Sequence, residues 1–274
     1  MFKERLAAGV LLVALMVVTL YFGGFATLAM VELISLLGIY ELMRVPKNYS
    51  TELLLVTEIF TVVLYALLGT GYTLRAYGFM YVFLMVVFLL VLMCLYVFRY
   101  PKYKLQDITL AFFAIFYVGV MLSYIYSIRF LNNGGAYIVL VFLAAWGNDT
   151  LAYCVGKLFG KHKMSPKLSP KKSIEGFVGG VVGAALLGVG YSFIFGKVTD
   201  TLVDVKLIVA FAVICGLGGA ISVVGDLAAS AIKRQYEIKD YSNLIPGHGG
   251  ILDRFDSIII TAPIVYYLIT IFVE

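Results

Sequence analysis

The stretch Ser230-Ala231-Ile232-Lys233-Arg234, continuing through Lys239-Asp240 and Asn243 to Ile245-Pro246-Gly247-His248-Gly249-Gly250-Ile251-Leu252-Asp253-Arg254-Phe255-Asp256, gathers acids, bases, a histidine and three glycines between two long apolar runs. A charged segment bracketed by runs long enough to cross a bilayer has to face water. Asp253 and Asp256 stand three apart at the start of the last apolar run, which on a helix separates them by about 60°. Both carboxylates can then face one hard cation such as Mg²⁺, which takes oxygen ligands from one or two carboxylates, substrate phosphates and water. Two acids beside Arg254 read equally well as a pair capping a helix N-terminus. The glycines ahead of them favour the first reading, because Gly249 and Gly250 let backbone N–H groups close around an anion.

Upstream, Gly219, Ser222, Asp226, Ser230 and Lys233 follow a 3-4-4-3 spacing and share one helical face. An acid inside a membrane helix is costly and marks a candidate functional position. Pairing of Asp226 with Lys233 or Arg234 is the bland alternative. Two helical turns make the Lys233 contact a stretch, so Asp226 is expected as a third metal ligand beside Asp253 and Asp256.

The run Ser230-x-Ile232-Lys233-Arg234-x4-Lys239-Asp240-x-Ser242-x2-Ile245-Pro246-x-His248-Gly249-Gly250-Ile251-x-Asp253-Arg254-Phe255-Asp256 resembles the signature of the phosphatidate cytidylyltransferases, also called CDP-diacylglycerol synthases. A second run strengthens the resemblance: Asp149-Thr150-x-Ala152-Tyr153-x2-Gly156, followed by Ser169-Pro170-Lys171-Lys172-Ser173-x-Glu175-Gly176. Together they cover roughly the C-terminal half of the chain. The resemblance implies a nucleotidyltransferase of phospholipid biosynthesis that joins CTP to phosphatidic acid, with Mg²⁺, releasing pyrophosphate. Under it Asp226, Asp253, Asp256, Lys233 and His248 are the expected catalytic residues, and the three aspartates the metal ligands, with room for a second cation, divalent or monovalent. Asn148, Asp149, Lys171, Lys172, Ser173, Glu175, Arg234, Lys239, Asp240, Gly249, Gly250 and Arg254 are the expected substrate contacts. Which bases meet the triphosphate and which the lipid phosphate stays open, as does the recognition of cytosine.

Of 274 residues 62% are hydrophobic and only 14% charged, more apolar surface than a soluble domain of this size could cover. The fold class expected is an all-α integral membrane protein with about nine transmembrane helices. Their places are near Leu6–Tyr21, Phe25–Met43, Leu53–Thr70, Phe79–Phe98, Ile108–Ile128, Tyr137–Phe159, Phe177–Phe195, Leu207–Ile232 and Ser257–Phe272. Lys3 and Arg5 ahead of the first run mimic a signal peptide, but Phe22-Gly23-Gly24 turns straight into the second, so a retained hairpin is expected. Cys94, Cys154 and Cys215 have no metal-ligand spacing and read as small core residues.

With the N-terminus in the cytoplasm, seventeen Lys and Arg fall in cytoplasmic segments, against Arg75, Arg129, Lys197 and Lys206 outside. The positive-inside rule then puts both polar stretches in the cytoplasm and the C-terminus outside. Residues 1–130 are expected to shape a lipid entrance and a subunit contact. Residues 131–274 are expected to form the catalytic bundle, with cytoplasmic loops 160–175 and 233–256, all in one structural domain. Within the N-terminal half, Glu41 lies one turn before Arg44 and is expected to pair with it; Glu32 is expected to hydrogen-bond a neighbouring helix. Expected partners are CTP, phosphatidic acid, membrane lipids and a second copy of the chain, with no nucleic acid. A transporter of cations would also bury acids, but its charges should appear at both membrane faces. A CDP-alcohol phosphotransferase would carry Asp-x2-Asp-Gly-x2-Ala-Arg, which is not found. An enzyme of the same kind acting on ether-linked lipid phosphate remains the nearer alternative.

Overall fold

The computed structural model describes residues 14, 16, 18–70, 74–245, 247 and 249–274. Eight helices among them are long and apolar enough to cross a membrane: α1 (Gly24–Met43), α2 (Thr51–Gly69), α3 (Leu74–Phe98), α4 (Leu105–Arg129), α5 (Gly134–Phe159), α6 (Ile174–Thr199), α7 (Val205–Gln235) and α8 (Leu252–Phe272). These match the second to ninth expected spans to within a few residues. The first expected span, Leu6–Tyr21, lies mostly outside the described residues. Large apolar side chains such as Phe79, Leu90, Leu186 and Ile271 are exposed along the helices, as in a protein whose outer surface meets lipid rather than water. The protein is an all-α integral membrane protein.

The chain forms two compact units. The first holds the described residues up to Tyr126 together with Ile238–Arg254; the second holds Ser127–Glu237 and Phe255–Glu274. The core of the first unit is built on Ile39, Leu42, Leu53, Leu64, Tyr65, Phe88, Leu92 and Ile108, all but removed from solvent. A π turn at Ile115–Val120 interrupts α4. The Tyr65 hydroxyl reaches the Gly119 carbonyl there, at 3.1 Å, and pairs with Ser35 Oγ at 2.7 Å. An irregular turn thus gains the polar partner that a buried carbonyl needs.

In the second unit two helix starts are set by short polar side chains, as capping requires. Asp204 accepts from Leu207 N at 2.8 Å to begin α7, and Ser173 accepts from Gly176 N at 3.1 Å to begin α6. The expected cytoplasmic loop 160–175 contains a hairpin, β1 (Lys163–Ser165) against β2 (Ser169–Ser173), antiparallel with Lys163 opposite Ser173. The base of the hairpin is clasped by Glu175, which accepts from the backbone of Lys161 and His162 and pairs with His162 Nδ1 at 2.6 Å. A second π turn, Leu143–Gly147, precedes Asn148 in α5.

Close helix approach in this unit depends on missing side chains. A Cβ on Gly225 of α7 would lie 2.6 Å from the Asp256 carbonyl oxygen and 3.2 Å from Ser257 Cα. Gly225→Ala should therefore force α7 and α8 apart and cost about 1–3 kcal/mol, the usual range for overpacking. Thermal unfolding of the purified protein in detergent checks this; a wild-type midpoint would mean that the helices separate at no cost.

Candidate active site

Three acids of the second unit converge. Asp226 comes from the middle of α7, Asp256 from the first turns of α8 and Asp149 from α5 just past the π turn. Asp256 is buried, 8% exposed, and lies within electrostatic reach of Asp226, Asp149 and Lys233. Asp149 hydrogen-bonds the Ser257 side chain and feels both Lys172 and Asp226. The Lys172 ammonium, delivered by strand β2, forms a direct ion pair with Asp226, each side chain more than two-thirds covered. Ser230, one turn on, donates to Asp226 Oδ1 at 3.4 Å. The expected face of Ser222, Asp226, Ser230 and Lys233 on α7 is therefore the face turned to this cluster. The partner of Asp226, however, is Lys172 and not the lysine or arginine at the end of its own helix.

The other residues of the two polar stretches divide in their placement. Asn148 is completely buried and donates from Nδ2 to Ser222 Oγ at 3.2 Å, tying α5 to α7. Positions where a side chain would strike Asn148, at Gly180 and Gly219, carry none. Ser173 is a buried helix cap and Glu175 the clasp of the hairpin. Of the Ser-Pro-Lys-Lys segment only Lys172 reaches the acids, while Lys171 is exposed. Arg234 is exposed at the end of α7. His248, expected to be catalytic, lies outside the described residues.

In the first unit the segment Ile238–Arg254 is held by carboxylates of the protein itself. Asp253 Oδ2 accepts from Tyr241 N and Gly250 N, both at 2.9 Å. Gly249 has φ +86° and would place a Cβ 3.0 Å from Asp253 Oδ2, so both its backbone angle and its closeness to that oxygen favour glycine. Asp253, expected to share a cation with Asp226 and Asp256, thus spends one oxygen on closing the loop. Lys239, Asp240 and Arg254 are exposed.

Glu41 is the residue that sequence reasoning missed. Its expected partner, Arg44, instead donates to the Tyr40 hydroxyl and lies over the Tyr40 and Tyr49 rings. Glu41 accepts from Ser242 Oγ at 2.5 Å, Ile251 N at 3.0 Å and Leu252 N at 2.8 Å. Of the glycine N–H groups expected to form a nest for an anion, that of Gly250 is taken up by Asp253, while the neighbouring N–H groups of Ile251 and Leu252 are taken up by Glu41. Glu32 is half-buried, and no hydrogen bond from it to a neighbouring helix is found among the described residues.

The donor set fits a hard cation in part. Among the described residues no three of His, Cys, Asp and Glu stand close enough to enclose an ion by themselves. Magnesium seldom asks for such a cage; it is held by one or two carboxylates, with substrate phosphates and water completing the octahedron. Asp226 and Asp256 offer that pair, and the Lys172 ammonium already sits on Asp226 as a positive charge would.

Among known proteins, a family model described as "Cytidylyltransferase family" matches residues 3–272. The phosphatidate cytidylyltransferase of Staphylococcus epidermidis is 30% identical over 168 residues, 61% of this chain and 61% of the relative. That of Bacillus subtilis is 33% identical over 160 residues, 58% of this chain and 57% of the relative. That of Staphylococcus saprophyticus is 31% identical over 168 residues, again 61% of each. The match thus spans about three-fifths of the length of these curated relatives.

Ser222→Ala tests the polar tie beneath the acids. It strands the buried Asn148 amide without its acceptor, a loss of about 1–3 kcal/mol. The thermal midpoint should fall accordingly, and an unchanged midpoint would show that Asn148 finds another partner.

Proposed function

The chain belongs to the cytidylyltransferase family, and from that premise we propose that it transfers the cytidylyl group of CTP to phosphatidic acid, giving CDP-diacylglycerol and pyrophosphate. The names of its relatives support the choice of substrates. The observation that carries the chemistry is the ion pair of Lys172 with Asp226, which brings the Ser-Pro-Lys-Lys hairpin to the acids of α5, α7 and α8.

A phosphate oxygen of phosphatidate attacks the α-phosphorus of CTP. The bond from that phosphorus to the oxygen bridging the β-phosphate breaks, and pyrophosphate carries the electron pair away. The attacking oxygen is already anionic, so no strong general base is needed; positioning and charge neutralisation dominate. Asp226 and Asp256 would hold a divalent cation such as Mg²⁺, which would supply neutralising charge to the phosphates. Lys172 and Lys233 stand at the acids from two sides, one from the hairpin and one from the end of α7, and bind the triphosphate there. Asp149, held by Ser257, keeps Lys172 directed inward. Arg234, exposed and basic at the end of α7, takes the lipid phosphate. The hairpin and the last turn of α7 face the cytoplasm, where CTP is, as the distribution of Lys and Arg favours.

The test is direct. Purified protein given labelled CTP, phosphatidic acid and Mg²⁺ should carry label into the organic phase, and EDTA should stop it. Asp226→Asn and Asp256→Asn should each lower the rate at least a hundredfold in folded protein. No lipid-soluble label from the folded wild type rejects the reaction, and near-normal turnover in either variant removes that residue from the cation site.

A further inference from the structure

Glu41 is carried by the last turn of α1, some two hundred positions from the residues it binds, and is only 3% exposed. Burying a carboxylate is costly unless its lone pairs are filled. Here they are filled from one source: the Ser242 hydroxyl and Ile251 N on Oε1, and Leu252 N on Oε2. Ile251 and Leu252 open α8, so the positive end of that helix adds to these charge-assisted bonds. Gly250 runs so close beneath that a Cβ there would lie 2.5 Å from Glu41 Oε2. Among its described residues the backbone is irregular over 238–245 and at Gly247, Gly249 and Gly250, with an isolated bridge between Ile245 and Gly249.

We infer that Glu41 is a positioning residue: it fixes the polar segment 238–254 and, through the first turn of α8, the aim of Asp253 and Arg254. Ser242 ties the segment's entry to the same carboxylate that holds its exit, so one side chain closes the loop at both ends. Asp253 complements it by bonding Tyr241 N and Gly250 N inside the loop. Since the two carboxylates take the N–H groups of Tyr241, Gly250, Ile251 and Leu252, those four donors are closed to substrate phosphate. The kinetic part of the inference rests on the cytidylyltransfer reading; the positional part does not.

Glu41→Gln keeps the size of the side chain but turns an amide N–H₂ toward the Leu252 N–H, donor against donor. In the full-length protein, hydrogen-exchange mass spectrometry should show the Ile251 and Leu252 amides exchanging at least tenfold faster. Steady-state assays should show kcat reduced at least tenfold, with the KM for CTP within threefold of wild type. A residue that served stability alone would leave kcat per folded molecule unchanged. Ser242→Ala removes one of the three bonds, keeps both backbone donors, and should lower kcat two- to fivefold. Wild-type exchange or wild-type kcat in folded Glu41→Gln overturns the assignment. If Glu41→Gln does not fold, a wild-type kcat in Ser242→Ala overturns it in its place. If the wild type makes no CDP-lipid, the functional reading fails, while the exchange comparison still decides whether Glu41 holds the segment.

Discussion

Acids can be kept among membrane helices only if something answers their charge, and in this protein the answer comes from outside the helices. Lys172 arrives on a hairpin between α5 and α6 and pairs with Asp226, which sits in the interior of α7. Asp149 and Asp256 share the neighbourhood, so three acids face two lysines. Acids gathered in this way are expensive in an apolar protein. The rest of the second unit follows from protecting this arrangement. Glycine at Gly225 lets the α8 backbone come against α7, and Asn148 with Ser222 sets a buried hydrogen bond between α5 and α7.

The membrane helices were legible because length and apolarity are read directly along the chain, and bilayer thickness sets a sharp scale for both. The face of α7 was legible for a similar reason: Ser222, Asp226 and Ser230 recur at helical intervals. What could not be read is what depends on contacts distant in sequence. Asp226 has a lysine two turns away on its own helix, and Glu41 an arginine one turn away, so the local partners were the visible ones. Both turned out to be bound to segments far along the chain. In each case a loop delivers the partner, and loop conformation is set by tertiary contacts that periodicity does not encode.

The hairpin shows the same limit from another side. Ser-Pro-Lys-Lys-Ser has poor strand propensity, and nothing in it alternates apolar with polar. Its two strands form because the ends are fastened: Ile174 N donates to the His162 carbonyl at 2.9 Å, and Glu175 gathers the backbone of Lys161 and His162. Glu175 and Ser173, which the motif offered as substrate contacts, are the parts that build the device, and Lys172 is the part it presents. A motif records all of these positions alike, whereas the structure separates the residue that reaches Asp226 from those that hold the hairpin.

The same separation applies to the segment before α8 and changes how its glycines are understood. Gly249 and Gly250 looked like a cradle for a phosphate, because glycine permits close approach by any anion. The anions that approach are Asp253 and Glu41. Anions supplied by the fold bind at an effective concentration no substrate matches, and they stay through every cycle. A loop closed in this way holds its shape before substrate arrives, so binding energy is not consumed in ordering it. Lys239 and Arg254 of the same segment are exposed.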